Sequence, residues 1–250
     1  MRWNALLGAA ASAAVVVVCA THDASASKPV APLHNELASS KVSPDRATRG
    51  RAPVLTNVDG VLAYPPGAAA PKHATTVIYL HGIHGLSDRS CPWMRPASED
   101  VGWVVCPEPS VRDGIGWSWT GNAGADARVV DHAIAATGDP DAPRVAVGFS
   151  QGAYIALDLV RAKKESFDGL VLLSADVDPD AASLRAAGVK RLVLGCGALE
   201  PYDAPMKKSV ARLSREGIDV RFVSLGRVGH TYVAEDPEAV RDAIAWAAAS

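Results

Sequence analysis

Ser150 in RVAVGFSQGA, His230 in GRVGHTYV and an acid between them in sequence are the side chains through which this chain could do covalent chemistry. A serine hydroxyl is a weak nucleophile at its free pKa. It needs an imidazole to take its proton and a carboxylate to hold that imidazole in the right tautomer. Such a set attacks a carbonyl carbon and passes an acyl group through the serine. Ser150 lies in G-x-S-x-G, where Gly148 and Gly152 allow a strained turn between strand and helix, because larger neighbours would collide with flanking backbone. Composition alone produces this pattern on the order of once in ten chains of such length, so context must decide. A β-rich apolar run ends at Phe149. QGAYIALDLVRAKK then places Ala153, Ile155, Ala156, Leu159 and Val160 on one face of a helix.

The other members follow in the order serine, acid, histidine, each expected on a loop at the C-terminal end of a strand. His230 comes directly after VRFVSLG and before the last helical pattern. Three acids are open. Glu200 and Asp203 lie in ALEPYDAPM after VLGCG, and Asp176 lies in LSADVDP after the preceding apolar run; Glu200, before Pro201, best fits a G-x-x-acid-Pro layout. Acyl transfer also requires two donors where the carbonyl oxygen becomes negative. The amide of Gln151 is one, and that of Ile83 in HGIHG (81–85) is the other. His81 supports that turn. His81 and His84 have no carboxylate or further histidine at ligand spacing, and there is no CxxC, so no metal is expected. Trp93, Trp117 and Trp119 fall in loops after apolar runs, and the GWSWTG pair, Trp117 and Trp119, is expected to wall the substrate. Asn122 reads as a helix cap.

The elements that must position these residues are legible as alternation. Apolar runs at 75–81, 101–107, 144–150, 168–175, 189–197 and 220–226 alternate with helical patterns at 123–137, 151–164, 180–187, 204–216 and 236–249. Continuous Val/Ile/Leu runs imply strands buried on both faces, hence a parallel sheet between helices: an α/β doubly wound fold. Residues 55–64 are expected to add an antiparallel hairpin or edge strand. Only about 14 residues separate Ala175 from Val189, too few for an inserted lid, so the site should be open to short or polymer-borne esters.

The chain of 250 residues, 48% hydrophobic, can bury one sizeable core. Its net charge of −2 carries no long run of one sign, which argues against nucleic acid and anionic membrane surfaces as partners. Arg2, the 14-residue apolar stretch from Ala5 to Val18 and the small-x-small pattern of Ala24 to Ala26 read as a secretory signal peptide over 1–26, giving a secreted or periplasmic protein. The stretch is short of the roughly 20 residues of a membrane span. A retained anchor, or a lipoprotein at Cys19, is the lesser alternative. Residues 27–52 are polar, proline-dotted and aperiodic, a disordered linker. Export permits disulfides, and Cys91 and Cys106 are expected to pair, leaving Cys196 as a buried thiol.

LHG near residue 80, GFSQGA, the late acid and the GH at 230 resemble the α/β-hydrolase superfamily, particularly its compact carboxylesterase, acyl-thioesterase and dienelactone-hydrolase-like branches. The resemblance covers residues 53–250. It implies an eight-stranded, mostly parallel sheet, no large lid domain, no metal or organic cofactor, Ser150 as nucleophile, His230 as base, Glu200 as acid, and Ile83 and Gln151 as oxyanion amides. The implied activity is ester hydrolysis through an acyl-enzyme. A peptidase of the same fold or a catalytically idle binding domain are the alternatives.

Mass spectrometry of exported protein is expected to find a chain beginning near Ser27. Full-length protein in the membrane fraction would contradict a cleaved signal peptide.

Overall fold

A computed structural model describes residues 61–135, 137, 141–164 and 166–249. The expected signal peptide and linker, and the first part of 55–64, lie outside the described residues. In chain order the elements are β1 (Leu62–Tyr64), β2 (Thr75–Leu80), α1 (Ser87–Ser98), β3 (Gly102–Cys106), β4 (Val111–Asp113), β5 (Gly116–Ser118), α2 (Ala123–Ala135), β6 (Arg144–Phe149), α3 (Gln151–Ala162), β7 (Gly169–Leu173), α4 (Ala181–Ala186), β8 (Arg191–Cys196), α5 (Asp203–Arg215), β9 (Asp219–Ser224) and α6 (Pro237–Ala248).

Among the described residues seven strands form one sheet in the order β1-β3-β2-β6-β7-β8-β9, and β4 pairs with β5 in a separate ribbon. Only β1 runs antiparallel, with Leu62 opposite Cys106; the other six strands are parallel. The resemblance implied eight strands. Residues 55–60, part of the segment expected to add a hairpin or edge strand, lie outside the described residues.

The unbroken apolar runs have the expected cause. Side chains alternate across a strand. Val77, Tyr79, Val147 and Val171 therefore pack with α1 and α6, whereas Ile78, Leu80, Ala146 and Leu172 pack with α2, α3, α4 and α5. Helix α2 begins as anticipated, with Asn122 Oδ1 accepting the Ala125 amide.

Helix α1 and the ribbon were not legible as elements. Pro92 and Pro96 stand inside α1, and each removes an i→i−4 hydrogen bond, so the segment reads as loop. Its inward residues Cys91, Met94 and Ala97 nonetheless pack into the layer shared with α6, and tertiary burial overrides the propensity. Strands β4 and β5 span three residues each, too few to show a period.

Cys91 on α1 is joined to Cys106 at the end of β3, with their Cα atoms 6.0 Å apart, and Cys196 is free and buried. The bridge pins the helix that follows the 81–85 turn to the sheet. It closes a loop of 15 residues, and restricting the unfolded chain to that extent is worth about 3 kcal/mol. Reduction is expected to lower the melting temperature by about 6–12 °C in calorimetry. An unchanged value would mean that the bridge adds nothing to stability.

Candidate active site

Helices α1 and α6 lie on one face of the sheet and the rest on the other, so the strand order reverses direction between β2 and β6. In open α/β sheets a crevice forms outside the carboxyl ends of the strands at such a point. Ser150 follows β6 there, and the turn His81–Gly85 follows β2.

Ser150 has φ 53° and ψ −119°, a backbone region costing about 1–3 kcal/mol for a residue with a side chain. Its amide donates to Leu173 O at 2.9 Å, tying the turn to β7. A Cβ at Gly152 would stand 2.0 Å from Leu80 O, and one at Gly148 would stand 2.3 Å from Gly152 O. Both glycines are required by close approach of α3 to β2 and β6. Gly82 packs on the other side, less tightly: its Cβ would lie 3.1 Å from that of Ser150.

His230 sits on the loop after β9. Its Nε2 is 2.9 Å from Ser150 Oγ and its Nδ1 is 2.8 Å from Glu200 Oε2. An ionised carboxylate only accepts, so the proton belongs on Nδ1 and the Nε2 lone pair faces the serine hydroxyl. The ring leans on Phe149, with centroids 5.0 Å apart. Two loops must meet for this pair to form. Ala198 N donates to Gly226 O and Leu199 N to Val228 O, and Gly197 permits the approach because a Cβ there would lie 2.1 Å from Val228 O.

Glu200 is held on its other oxygen as well. Oε1 accepts from Ser174 Oγ at 2.7 Å and from the Gly197 amide at 2.9 Å. Its side chain is 2% exposed against 49% for His230. Sequence reasoning passed over Ser174, whose φ of 53° and position just past β7 repeat the placement of Ser150 one strand along. Neither other acid faces the imidazole. Asp203 opens α5 and its carboxylate pairs with Lys207 one turn on, and Asp176 is exposed, its amide donating to Tyr154 Oη.

The amides of Ile83 and Gln151 donate to no described residue. Gln151 is the first residue of α3, where backbone N–H groups have no intrahelical acceptor. The Gln151 side chain binds the main chain of Trp119, accepting from its amide at 3.1 Å. His81 is buried, and desolvation holds it below the ordinary histidine range, so the neutral ring donates Nδ1–H to Gly82 O at 2.7 Å. His84, at φ 56°, instead leaves the turn to pair with Asp113 of the ribbon.

The two ribbon tryptophans do not wall this site. Trp119 is 3% exposed and donates its indole N–H to His81 O, bracing the turn from beneath. Trp117 stacks under Arg112 and donates its amide to Gly85 O. It lines a separate depression of about 540 Å³ with Arg128 and His132, which touches neither Ser150, Glu200 nor His230. A smaller cleft of about 240 Å³ lies between the 81–85 turn, Phe149 and Tyr232, and Gly82 and Phe149 in its lining are neighbours of Ser150. Among the described residues no group of three His, Cys, Asp or Glu could hold a metal, and no helix is long and apolar enough to cross a membrane.

The chain is similar to a carboxylesterase from Mesorhizobium loti, at 21% identity over 79% of this chain and 99% of that one, with a TM-score of 0.56. It is similar to the Bacillus cereus carboxylesterase, at 15% identity over 75% and 93% of the two chains, with a TM-score of 0.54. It is also similar to FphF, a fluorophosphonate-binding serine hydrolase of Staphylococcus aureus, at 15% identity over 76% and 92%, with a TM-score of 0.54. No family model and no curated protein matches the chain. These likenesses show that it has the α/β-hydrolase fold.

Cys196 ends β8 just before the Glu200 loop, and burial pushes its thiol up to about 12. Only the thiolate reacts with alkylating agents. Iodoacetamide is therefore expected to leave Cys196 unmodified in native protein at neutral pH and to modify it after unfolding, read by peptide mass spectrometry.

Proposed function

We propose that this protein is a secreted serine carboxylesterase acting through an acyl-enzyme. One observation carries the reading: the unbroken hydrogen-bonded line from Ser150 through His230 to Glu200, set beside two amides without described partners. Ser150 Oγ attacks the ester carbonyl carbon as its proton passes to His230 Nε2. Glu200 stabilises the imidazolium through Nδ1–H and keeps its own charge. The carbonyl oxygen, now negative, accepts from the amides of Ile83 and Gln151, and the positive end of α3 faces it. The carbon–oxygen bond to the alcohol then breaks, His230 returns the proton to the leaving oxygen, and an ester to Ser150 remains. Water enters, gives a proton to His230 and adds to the acyl carbon. Collapse releases the acid and restores the serine hydroxyl.

Support comes from three further directions. The M. loti and B. cereus neighbours are named carboxylesterases, and FphF is named for binding fluorophosphonate. Between β7 and β8 the chain supplies only the six-residue α4, so no inserted lid covers the site there and small or polymer-borne esters can reach it. The Cys91–Cys106 bridge suits an oxidising compartment, in keeping with export and removal of the leader. A catalytically idle binding domain would have no use for the buried, doubly held Glu200.

A fluorophosphonate probe is expected to label the chain once, at Ser150, and Ser150→Ala to abolish labelling and turnover of p-nitrophenyl esters. Labelling elsewhere, or near-normal rates in His230→Ala, would overturn the mechanism. Glu200→Gln is expected to lower kcat by about ten-thousandfold with normal folding, as loss of the orienting acid does elsewhere. Asp203→Asn is expected to cost less than about tenfold, since its carboxylate pairs with Lys207 and not with the imidazole.

A further inference from the structure

The cleft of about 240 Å³ beside the nucleophile is amphipathic. Gly82 and Phe149, two of its lining residues, are also the neighbours of Ser150. Its walls carry Ile83, Ile115 and Tyr232, with Ile83 52% and Ile115 83% exposed, an unusual degree for large aliphatic side chains. Arg89, in the first turn of α1, also lines it, the only Lys or Arg to do so among the described residues.

Arg89 is exposed and has no carboxylate partner among the described residues. Several other arginines of the domain are paired with carboxylates: Arg95 with Glu99, Arg161 with Asp158 and Asp180, Arg212 with Asp178 and Glu216. Two of the acids near the cleft have partners of their own. Asp113 accepts from Ser118 and pairs with His84, and Glu108 accepts the Ser87 amide. The Ser90 hydroxyl donates to Leu86 O. The guanidinium is thus an anion-recognising group without a described partner, in a cleft lined by apolar side chains and by two neighbours of Ser150.

We propose that this cleft is a subsite for esters carrying a free carboxylate, with Arg89 as the residue that selects them. The inference rests on the esterase reading of Ser150. The volume holds about eight water-sized groups, enough for a short methylene chain along Ile83, Ile115 and Tyr232 and a carboxylate at its far end. Arg presents a planar fork that matches a carboxylate in two hydrogen bonds, a geometry the Lys ammonium lacks. The carboxylate is bound alike before and during the reaction, so selection appears in KM more than in kcat.

Two pairs of esters test it with the full domain. Mono-p-nitrophenyl adipate against p-nitrophenyl methyl adipate places the charge on the acyl side, and 4-carboxyphenyl butyrate against 4-carbamoylphenyl butyrate places it on the alcohol side. In at least one pair the anionic ester is expected to have a kcat/KM about tenfold higher at low salt, through KM, and the preference to shrink as salt is added. Arg89→Gln is expected to bring that ratio close to one, and Arg89→Lys to retain part of it. Turnover of all four esters with no preference for the anion in either pair overturns the subsite alone, as does a preference that survives in Arg89→Gln. Absence of turnover with every ester overturns the esterase reading and the subsite with it.

Discussion

The reversal of the chain at Ser150 is the constraint on which the rest of the site depends. To leave β6 and enter α3 within one residue, the backbone must bring the first turn of the helix against the end of β2, where a Cβ on Gly152 would stand 2.0 Å from Leu80 O. No side chain fits that gap. The contact fixes how far α3 sits from the sheet, and with it the height of the Gln151 amide above the turn that carries the Ile83 amide. It also holds Ser150 at a positive φ that an unsupported serine would leave, which is how a rigid sheet stores strain at one exposed hydroxyl.

A second close approach governs the acid and the base. Gly197 lets the loop after β8 run against the loop after β9, and two backbone hydrogen bonds zip them together. Glu200 and His230 then face each other because their main chains are already paired. Ser174 and the Gly197 amide use the second carboxylate oxygen, so the acid has one orientation available. Pre-set geometry of this kind leaves little reorganisation for the moment of proton transfer.

Much of this was legible in the sequence, for identifiable reasons. Strands buried on both faces write themselves as unbroken Val/Ile/Leu runs, and six such runs became six parallel strands. Gly148 and Gly152 announced the turn because nothing else fits there. What stayed hidden depends on which way a side chain points. Glu200 and Asp203 lie one helical turn apart, and only the phase of the chain entering α5 decides which reaches the imidazole. Trp119 was read as a rim residue from its glycine neighbours, but its indole turns beneath the His81 carbonyl. Helix α1 hid behind Pro92 and Pro96, and Ser174 behind the commonness of serine after a strand.

The half-open imidazole has a further consequence for how an acyl group on Ser150 would be shared out. With His230 49% exposed and α4 only six residues long, bulk solvent reaches the imidazole directly. An acyl group carried on Ser150 would then meet water at its full concentration of roughly 55 M in the surrounding liquid, where one molecule occupies about 30 Å³. An added alcohol gains ground only by abundance or by seating itself on the exposed Ile83 and Ile115. A site so open would favour breaking esters in water over building them.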